Sequence, residues 1–206
     1  GVLQAGSGFV SWDENGAVRL WDAEGKLRPD RGQIRVHESG VQGVAPAGSG
    51  FVSWDWQGSV RFWDADGEPL PDRGHPKAHD GCVVGVAPAG SGFVSWGWDG
   101  AVWFWDATGK ILPDRGQVCA HEGGVQAVVP ISSGFMSWGR EGGICLWDAD
   151  GRLQADQCHY EAHNVAANIV GLAQADAGYA SWDENGAVRF WDAEGRVLPD
   201  RGHPKA

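Results

Sequence analysis

The segment SWDENGAVRLWDA, residues 11–23, occurs in five near-copies along the chain. The later copies begin at Ser53, Ser95, Ser137 and Ser181, so the spacings are 42, 42, 42 and 44 residues. A fixed period of this length is the signature of a repeat architecture, in which each copy forms one supersecondary unit. The sequence of 206 residues therefore predicts an array of five such units.

Each repeat has the pattern of short β-strands joined by tight turns. The apolar run Phe9–Trp12 meets a polar turn ending at Gly16, and the alternating run Ala17–Trp21 follows, which indicates a hairpin. A third strand is predicted over Gly40–Ala45, where a proline comes next. A fourth, outer strand is predicted over Gly67–Pro76, because its prolines are tolerated only at a sheet edge. Four short strands in each repeat predict an all-β fold.

The end of each predicted hairpin carries a repeated Trp-Asp pair, with a glycine five residues before the tryptophan. The pairs are Trp21-Asp22, Trp63-Asp64, Trp105-Asp106, Trp147-Asp148 and Trp191-Asp192. A histidine also recurs in register, at His37, His79, His121 and His163. This pattern resembles the WD40-repeat family. The resemblance implies an all-β, WD40-like propeller with five four-stranded blades, formed by residues 1–36, 37–78, 79–120, 121–162 and 163–206.

One position departs from the family pattern. The family usually carries an Asp six residues before the signature Trp, where it joins a hydrogen-bond network of His, Ser and Trp. In this chain the position holds Asn15, Gln57, Asp99, Glu141 and Asn185. The network is therefore expected to be intact in the third repeat at best and to be adapted in the others.

Ten of the thirteen tryptophans occupy repeat positions, and we expect them to form the core. They are the Trp-Asp tryptophans and the series Trp12, Trp54, Trp96, Trp138 and Trp182. The recurrent histidines could in principle bind a metal or act as general bases. However, each occurs once per repeat in register with a Trp network, so a structural role is predicted. No catalytic residue, metal site or cofactor is predicted, because the carboxylates also recur once per repeat and no Ser-His-Asp constellation stands out.

Charge and cysteine content restrict the possible partners. The sequence has 16 Lys and Arg against 27 Asp and Glu, and the net charge of −11 disfavours nucleic acid. Cys82, Cys119, Cys145 and Cys158 show no CxxC spacing, so we expect free buried thiols and no disulfide framework. No apolar run is long enough for a membrane span, and a cytoplasmic location is expected.

Positions at which the copies differ are released from the shared packing role and are candidates for specificity. The family resemblance places the turn between the second and third strands on a face that commonly binds partners. The turns carry Trp56, Trp98, Arg140, Glu14 and Glu184, and Trp103 is the remaining tryptophan outside the repeat series. These six residues are predicted to form a binding patch, since exposed Trp and Arg are frequent in binding hot spots. The alternative is drift among duplicated repeats, with Trp103 stacked against a neighbouring blade.

The expected function is a non-catalytic recognition or scaffold module with a protein partner. A lectin-like propeller is the alternative, since exposed tryptophan also stacks on sugars; a structural spacer is another. Near-identical repeats resemble bacterial WD40 arrays attached to signalling or defence modules. Five blades could close alone, but we expect a module of a longer protein, either monomeric or self-associating through open propeller ends.

Overall fold

The computed structural model describes residues 1–28, 34–116, 118–159, 162–163, 168–175 and 178–203. Over these residues the chain forms nineteen β-strands and a single three-residue 3-10 turn at Ala155–Gln157. The described part contains no helix with the length and apolar character needed to cross a bilayer. Tyr160, a residue with no counterpart in the other repeats, lies outside the described residues.

The strands form five antiparallel sheets, one for each repeat, which we number in chain order. Sheet 1 contains β1 (Val2–Ala5), β2 (Gly8–Trp12), β3 (Ala17–Trp21) and β4 (Ile34–Arg35). Sheet 2 contains β5 (Val41–Ala47), β6 (Gly50–Asp55), β7 (Val60–Trp63) and β8 (Pro69–His75). Sheet 3 contains β9 (Val83–Ala89), β10 (Gly92–Gly97), β11 (Ala101–Trp105) and β12 (Val118–Cys119). Sheet 4 contains β13 (Val125–Ile131), β14 (Gly134–Gly139) and β15 (Ile144–Asp148). Sheet 5 contains β16 (Ile169–Ala175), β17 (Gly178–Asp183), β18 (Val188–Asp192) and β19 (Val197–His203).

The all-β prediction is confirmed, and so are the hairpin and the outer strand of the second repeat. Within the described residues sheet 4 has three strands, and Ile144 also forms an isolated antiparallel bridge with His159. The strand predicted over Gly40–Ala45 was expected to end before Pro46, and this was wrong, since β5 continues through Pro46 to Ala47. Proline is tolerated there because β5 is an edge strand, so the missing N–H costs no ladder bond.

The chain divides into two compact units. The first comprises residues 1–97 and 103–112, and the second comprises residues 98–102 and 113–206. The first unit holds two apolar clusters: one combines side chains of sheets 1 and 2, including Leu20 and Trp63, and the other includes Phe62 and Trp105. The second unit holds an equivalent cluster between sheets 4 and 5 that includes Trp191. Each cluster joins consecutive repeats, so a sheet is stabilised by its neighbours along the chain.

Burial of the ten repeat tryptophans follows this pairing and corrects the expectation that all of them are core. Seven of them are buried: Trp54, Trp63, Trp96, Trp105, Trp138, Trp147 and Trp191. Trp12 and Trp21 in sheet 1 are partly exposed, and Trp182 in sheet 5 is 37% exposed. The same residue type in the same strand position therefore differs in burial according to whether another sheet covers it.

Candidate functional site

A buried chain of side-chain hydrogen bonds joins a histidine, a serine and a tryptophan in each of sheets 2 to 5. In sheet 2, His37 Nδ1 lies 2.8 Å from Asp55 Oδ2, and His37 Nε2 lies 2.7 Å from Ser53 Oγ. Trp63 Nε1 donates to the same Ser53 Oγ at 2.8 Å. All four side chains are buried. We call this arrangement the Trp-Ser-His relay.

One arrangement of hydrogens satisfies the whole relay. An indole N–H can only donate, so Ser53 Oγ accepts from Trp63, and in the His37 tautomer with its hydrogen on Nδ1 the serine donates its own hydrogen to His37 Nε2. His37 Nδ1–H then donates to the Asp55 carboxylate. A neutral imidazole and an ionised carboxylate satisfy every member, which is the condition under which a buried polar network stabilises a core.

The relay recurs in the other sheets that have a histidine. In sheet 4, His121 lies 2.5 Å from Glu141 and 2.9 Å from Ser137, which accepts from Trp147 at 2.9 Å. In sheet 5 the members are His163, Asp183, Ser181 and Trp191, with distances of 3.0, 2.8 and 2.9 Å along the chain of bonds. In sheet 3, Ser95 lies 2.9 Å from His79 Nε2 and accepts from Trp105 at 3.0 Å.

The carboxylate of the relay comes from either of two positions in the turn. Sheets 2 and 5 use Asp55 and Asp183, the last residues of β6 and β17. Sheet 4 has Gly139 at that place and uses Glu141, two residues later. A Cβ on Gly139 would lie 2.2 Å from Glu141 Oε2, so the glycine leaves the space that the longer side chain fills.

The network is adapted outside the third repeat, as the sequence predicts. In sheets 2 and 5 a carboxylate two residues before the expected position serves where the expected one is Gln57 or Asn185, and in sheet 4 Glu141 serves at the expected position. The signal was present in the sequence: the turns read DEN, DWQ, GWD, GRE and DEN, and a glycine stands first only when an acid stands third. In sheet 1 the equivalent Asp13 is paired with Arg19 at 2.6 Å.

The relay contains serine, histidine and a carboxylate in the order used by nucleophilic hydrolases, which the sequence did not suggest. However, Ser53, Ser95, Ser137 and Ser181 are all 0% exposed, and each accepts a hydrogen bond from a tryptophan. A nucleophile must reach the substrate, and these hydroxyls cannot. The relay therefore acts as a packing and positioning element.

Burial and hydrogen bonding shift the pKa values of the relay residues. Burial alone would raise the pKa of Glu141, but the hydrogen bonds from His121 and from backbone N–H groups outweigh it, and the pKa lies below its ordinary 4.5. The pKa of Asp183 is lowered in the same way, with Ala187 N–H and His163 as donors opposing burial. Burial lowers the pKa of His163 below 6.5, although Asp183 opposes that shift. The shifts of His163 and Asp183 favour a neutral histidine beside an ionised acid, and the shift of Glu141 favours the ionised acid.

The Asp of each Trp-Asp pair has a separate, local role. Asp148 Oδ1 accepts the backbone N–H groups of Asp150 and Arg152 at 2.9 and 2.8 Å, which closes the turn after β15. The equivalent residues also accept hydrogen bonds from the backbone N–H groups two and four residues later in their turns; they are Asp64, Asp106 and Asp192. Asp22 accepts from the backbone N–H of Lys26. Each of these carboxylates therefore stabilises the turn that follows its strand.

The turns that follow the second strand of each sheet carry the predicted binding residues at the surface. In the first unit, Trp56 is 44% exposed, and its backbone N–H donates to the carbonyl oxygen of Gly40. Glu14 is exposed in the equivalent turn of the first repeat. In the second unit, Trp98 is 47% exposed and Arg140 and Glu184 are exposed. Each unit thus presents its own part of the predicted patch.

The second unit brings Trp98 and Arg140 together. The Arg140 guanidinium carbon lies 5.0 Å from the centre of the Trp98 ring, which is a cation–π contact. Gly124 lies between the two turns. The backbone N–H of Arg140 donates to the Gly124 carbonyl oxygen at 3.3 Å, and a Cβ on Gly124 would lie 2.9 Å from the Trp98 carbonyl oxygen. The glycine therefore permits the close approach of the turns.

A groove of about 560 Å³ begins beside Arg140 in the second unit. It is lined by Gln126, Ala127, Trp138, Arg140, Asn168, Ile169 and Val170. Asn168 Nδ2 donates to Glu184 Oε1 at 3.1 Å, so Glu184 is held at the side of the groove. We call Trp98, Arg140, Asn168 and Glu184 the turn surface. Asn168 is not evident as a site residue from the sequence, because its repeat carries a two-residue insertion that shifts the alignment.

Trp103 does not belong to the turn surface. Its ring packs against the apolar cluster that contains Phe62 and Trp105, and its centre lies 6.4 Å from the ring of His79. Its Nε1 is buried without a hydrogen-bond partner. The alternative in which Trp103 stacks against its neighbours describes this residue correctly, and its prediction as a patch residue was wrong.

The cysteines also correct the sequence analysis. Cys145 and Cys158 form a disulfide, with their Cα atoms 4.2 Å apart, where two free thiols were expected. Cys82 is buried and burial raises its pKa to about 11, whereas Cys119 is exposed. Among the described residues, no cluster of three His, Cys, Asp or Glu side chains has the arrangement of a metal site.

No family model matches the chain, and no curated protein sequence matches it significantly. The fold is similar to that in the crystal structure of the computationally designed Ika8 protein, with a TM-score of 0.72 and 24% sequence identity. The match covers 100% of this chain and 61% of the designed chain, so the chain spans about three fifths of that protein's length. At this identity the likeness shows the all-β fold alone.

The carboxylate exchange gives a direct test of the relay. Glu141→Gln should lower the free energy of unfolding by about 1–3 kcal/mol, because it weakens the bond that His121 makes in the core. Adding Gly139→Asp recreates the Asp-x-Gln turn of the second repeat and should restore most of the loss. Urea unfolding of both variants measures the two effects, and Glu122→Gln, at an exposed site, is the matched control. A double variant less stable than Glu141→Gln would contradict the exchange.

The pKa shifts predict that acid destabilises the fold. Because the folded pKa values of His163, Asp183 and Glu141 are lowered, the unfolded chain binds more protons as the pH falls. The free energy of unfolding should therefore fall from about pH 7.5 to 5.5 through His163, and further below about pH 4.5 through the carboxylates. His163→Gln should show a smaller fall over the upper interval in urea titrations at each pH. Stability that rises on acidification over that interval would contradict the assignment.

Proposed function

We propose that the chain is a non-catalytic recognition or scaffold module of the WD40 type, in which the five sheets are propeller blades and the turns after the second strands bind a protein partner. The observation that carries the proposal is the pair Trp98 and Arg140, held in contact at the surface beside a groove of about 560 Å³. The relay supports it, because Trp, Ser, His and a carboxylate in the second, fourth and fifth repeats match what the family resemblance implies.

The chemistry of the turn surface suits a protein ligand. The Arg140 guanidinium can donate to carboxylates and backbone carbonyls, while the Trp98 ring supplies apolar area at low cost in side-chain entropy. Val170, at 60% exposure, adds an apolar wall to the groove, and Asn168 and Glu184 add polar groups at its side. An apolar centre with a polar rim is the usual anatomy of a protein interface.

The contact between Trp98 and Arg140 also weighs against the lectin-like alternative. Sugar binding by tryptophan uses the face of the ring, and the guanidinium covers one face of Trp98. Repeat-equivalent sugar pockets would in addition need a tryptophan in every turn, and the turns of the first, fourth and fifth repeats lack one.

Affinity capture from a lysate of the source tests the proposal. The chain should retain a protein that a Trp98→Ala, Arg140→Ala double variant loses, because the contact pair is removed without touching the relay. The matched control is Leu27→Ala, Arg152→Ala, which also removes one exposed apolar and one exposed basic side chain. Captured proteins are identified by mass spectrometry, and a glycan array is run with the same three proteins.

Capture by the parent and the control, but not by the turn variant, supports a recognition surface at Trp98 and Arg140. Equal capture by all three proteins removes the turn surface from the proposal. Glycan binding that depends on Trp98 would favour the lectin-like reading instead.

A further inference from the structure

The interface between consecutive sheets is built from the same two faces each time. In sheet 1, Val10, Val18 and Leu20 contact the next sheet, and we call this position set, together with Trp12, the forward face. In sheet 2, Val44, Phe51 and Trp63 contact the preceding sheet, and we call this set the rear face. The cluster of Met136, Trp138, Ile144 and Leu146 with Tyr179 and Trp191 repeats the pairing between sheets 4 and 5. A forward face therefore fits a rear face throughout the described clusters.

The rear face of sheet 1 has the residues of such an interface, but among the described residues its side chains are exposed. Val2 is 67% exposed and Phe9 is 39% exposed, whereas their equivalents Val44 and Phe51 are 8% and 2% exposed. Trp21, the equivalent of the buried Trp63, is partly exposed next to Phe9, with which it is paired across β2 and β3. These side chains form an apolar surface on the first unit.

The forward face of sheet 5 is open in the same way. Trp182 is 37% exposed, whereas Trp54, its equivalent in sheet 2, is buried. Val188 and Phe190 are partly exposed, whereas their equivalents Val60 and Phe62 are buried. Apolar side chains that are exposed on one sheet face, at positions that are buried in another repeat, indicate an interaction site.

We infer that the rear face of sheet 1 in one molecule binds the forward face of sheet 5 in a second copy of the chain. The occupant follows from the repeats: the forward residues Trp54, Val60 and Phe62 recur as Trp182, Val188 and Phe190, and the rear residues Val44, Phe51 and Trp63 recur as Val2, Phe9 and Trp21. The second copy thus supplies the same pairs of side chains that pack inside the chain. Two different faces meet, so the association is heterologous, from head to tail.

This association is distinct from ligand binding at the turns. The two faces consist of alternating strand residues, whereas Trp98 and Arg140 lie in turns beyond the strand ends. The inference concerns the sheet faces alone, so it stands or fails independently of the proposed protein partner.

Sedimentation velocity over a concentration series tests the inference. Phe9→Lys places a charge on the rear face of sheet 1, and Trp182→Lys places one on the forward face of sheet 5. Val170→Lys is the matched control, because Val170 is also an exposed apolar strand residue but lies in the groove of the turn surface. Val2→Lys is a second rear-face variant at a more exposed position, for use if Phe9→Lys does not fold.

The native chain and Val170→Lys should form assemblies larger than one chain. Each face variant should be monomeric over the same range, with association weakened by at least roughly thirtyfold, as for the loss of a hot spot. A mixture of Phe9→Lys with Trp182→Lys should form a one-to-one dimer that does not grow, because each variant keeps the face that the other lacks. That complementation distinguishes head-to-tail packing from contacts between identical faces.

Three results would overturn the inference. The native chain could remain monomeric up to about 100 µM, a concentration at which even weak specific association is populated. The face variants could assemble as the native chain does. Finally, the two variants could each be monomeric and fail to form the mixed dimer.

Discussion

The buried bond from tryptophan to serine to histidine is the constraint on which the rest of the structure depends. It joins the third strand of a sheet to its second strand and then to the segment that leads into the sheet, through Trp63, Ser53 and His37 in the second repeat. Each of these polar atoms is buried away from water, so each needs its hydrogen-bond partner. The bonds therefore fix the positions of the two strands and of the segment before the sheet relative to one another. The repeated tryptophans can then pack between sheets, and the turn tips are left to vary.

That constraint explains why the turn residues tolerate so much change. The relay needs one carboxylate near the histidine Nδ1 atom. Either an aspartate at the end of the second strand or a glutamate two residues later supplies it. Asp55 and Glu141 are the two solutions, and Gly139 provides the space that the second one requires. The middle residue of the turn takes no part in either solution, so Trp56, Trp98 and Arg140 occur there freely. Variation at the surface is thus a consequence of a fixed interior requirement.

Much of the fold could be predicted from the sequence, and the failures have physical reasons. The period, the strands and the structural role of the histidines follow from local patterns. The disulfide between Cys145 and Cys158 was missed because it depends on strand register: Arg61 and Gly74, also thirteen residues apart, are direct partners across β7 and β8. Trp103 was misassigned because exposure cannot be read from a position that alternates between Arg, Trp and Cys. Open propeller ends were among the expectations, but the exposure of Phe9 and Trp182 could not be predicted because their repeat equivalents Phe51 and Trp54 are the same residues and are buried.

The central claim is that the relay holds the fold and that the turn residues are available for recognition. Equilibrium unfolding of Ser137→Ala and Trp98→Ala in parallel tests it most directly. Ser137→Ala leaves His121 Nε2 and Trp147 Nε1 without their shared partner, so it should cost about 2–5 kcal/mol. Trp98→Ala removes an exposed ring and a cation–π contact, so it should cost less than about 1 kcal/mol. The opposite order, with Trp98→Ala the more destabilising of the two, would contradict the account.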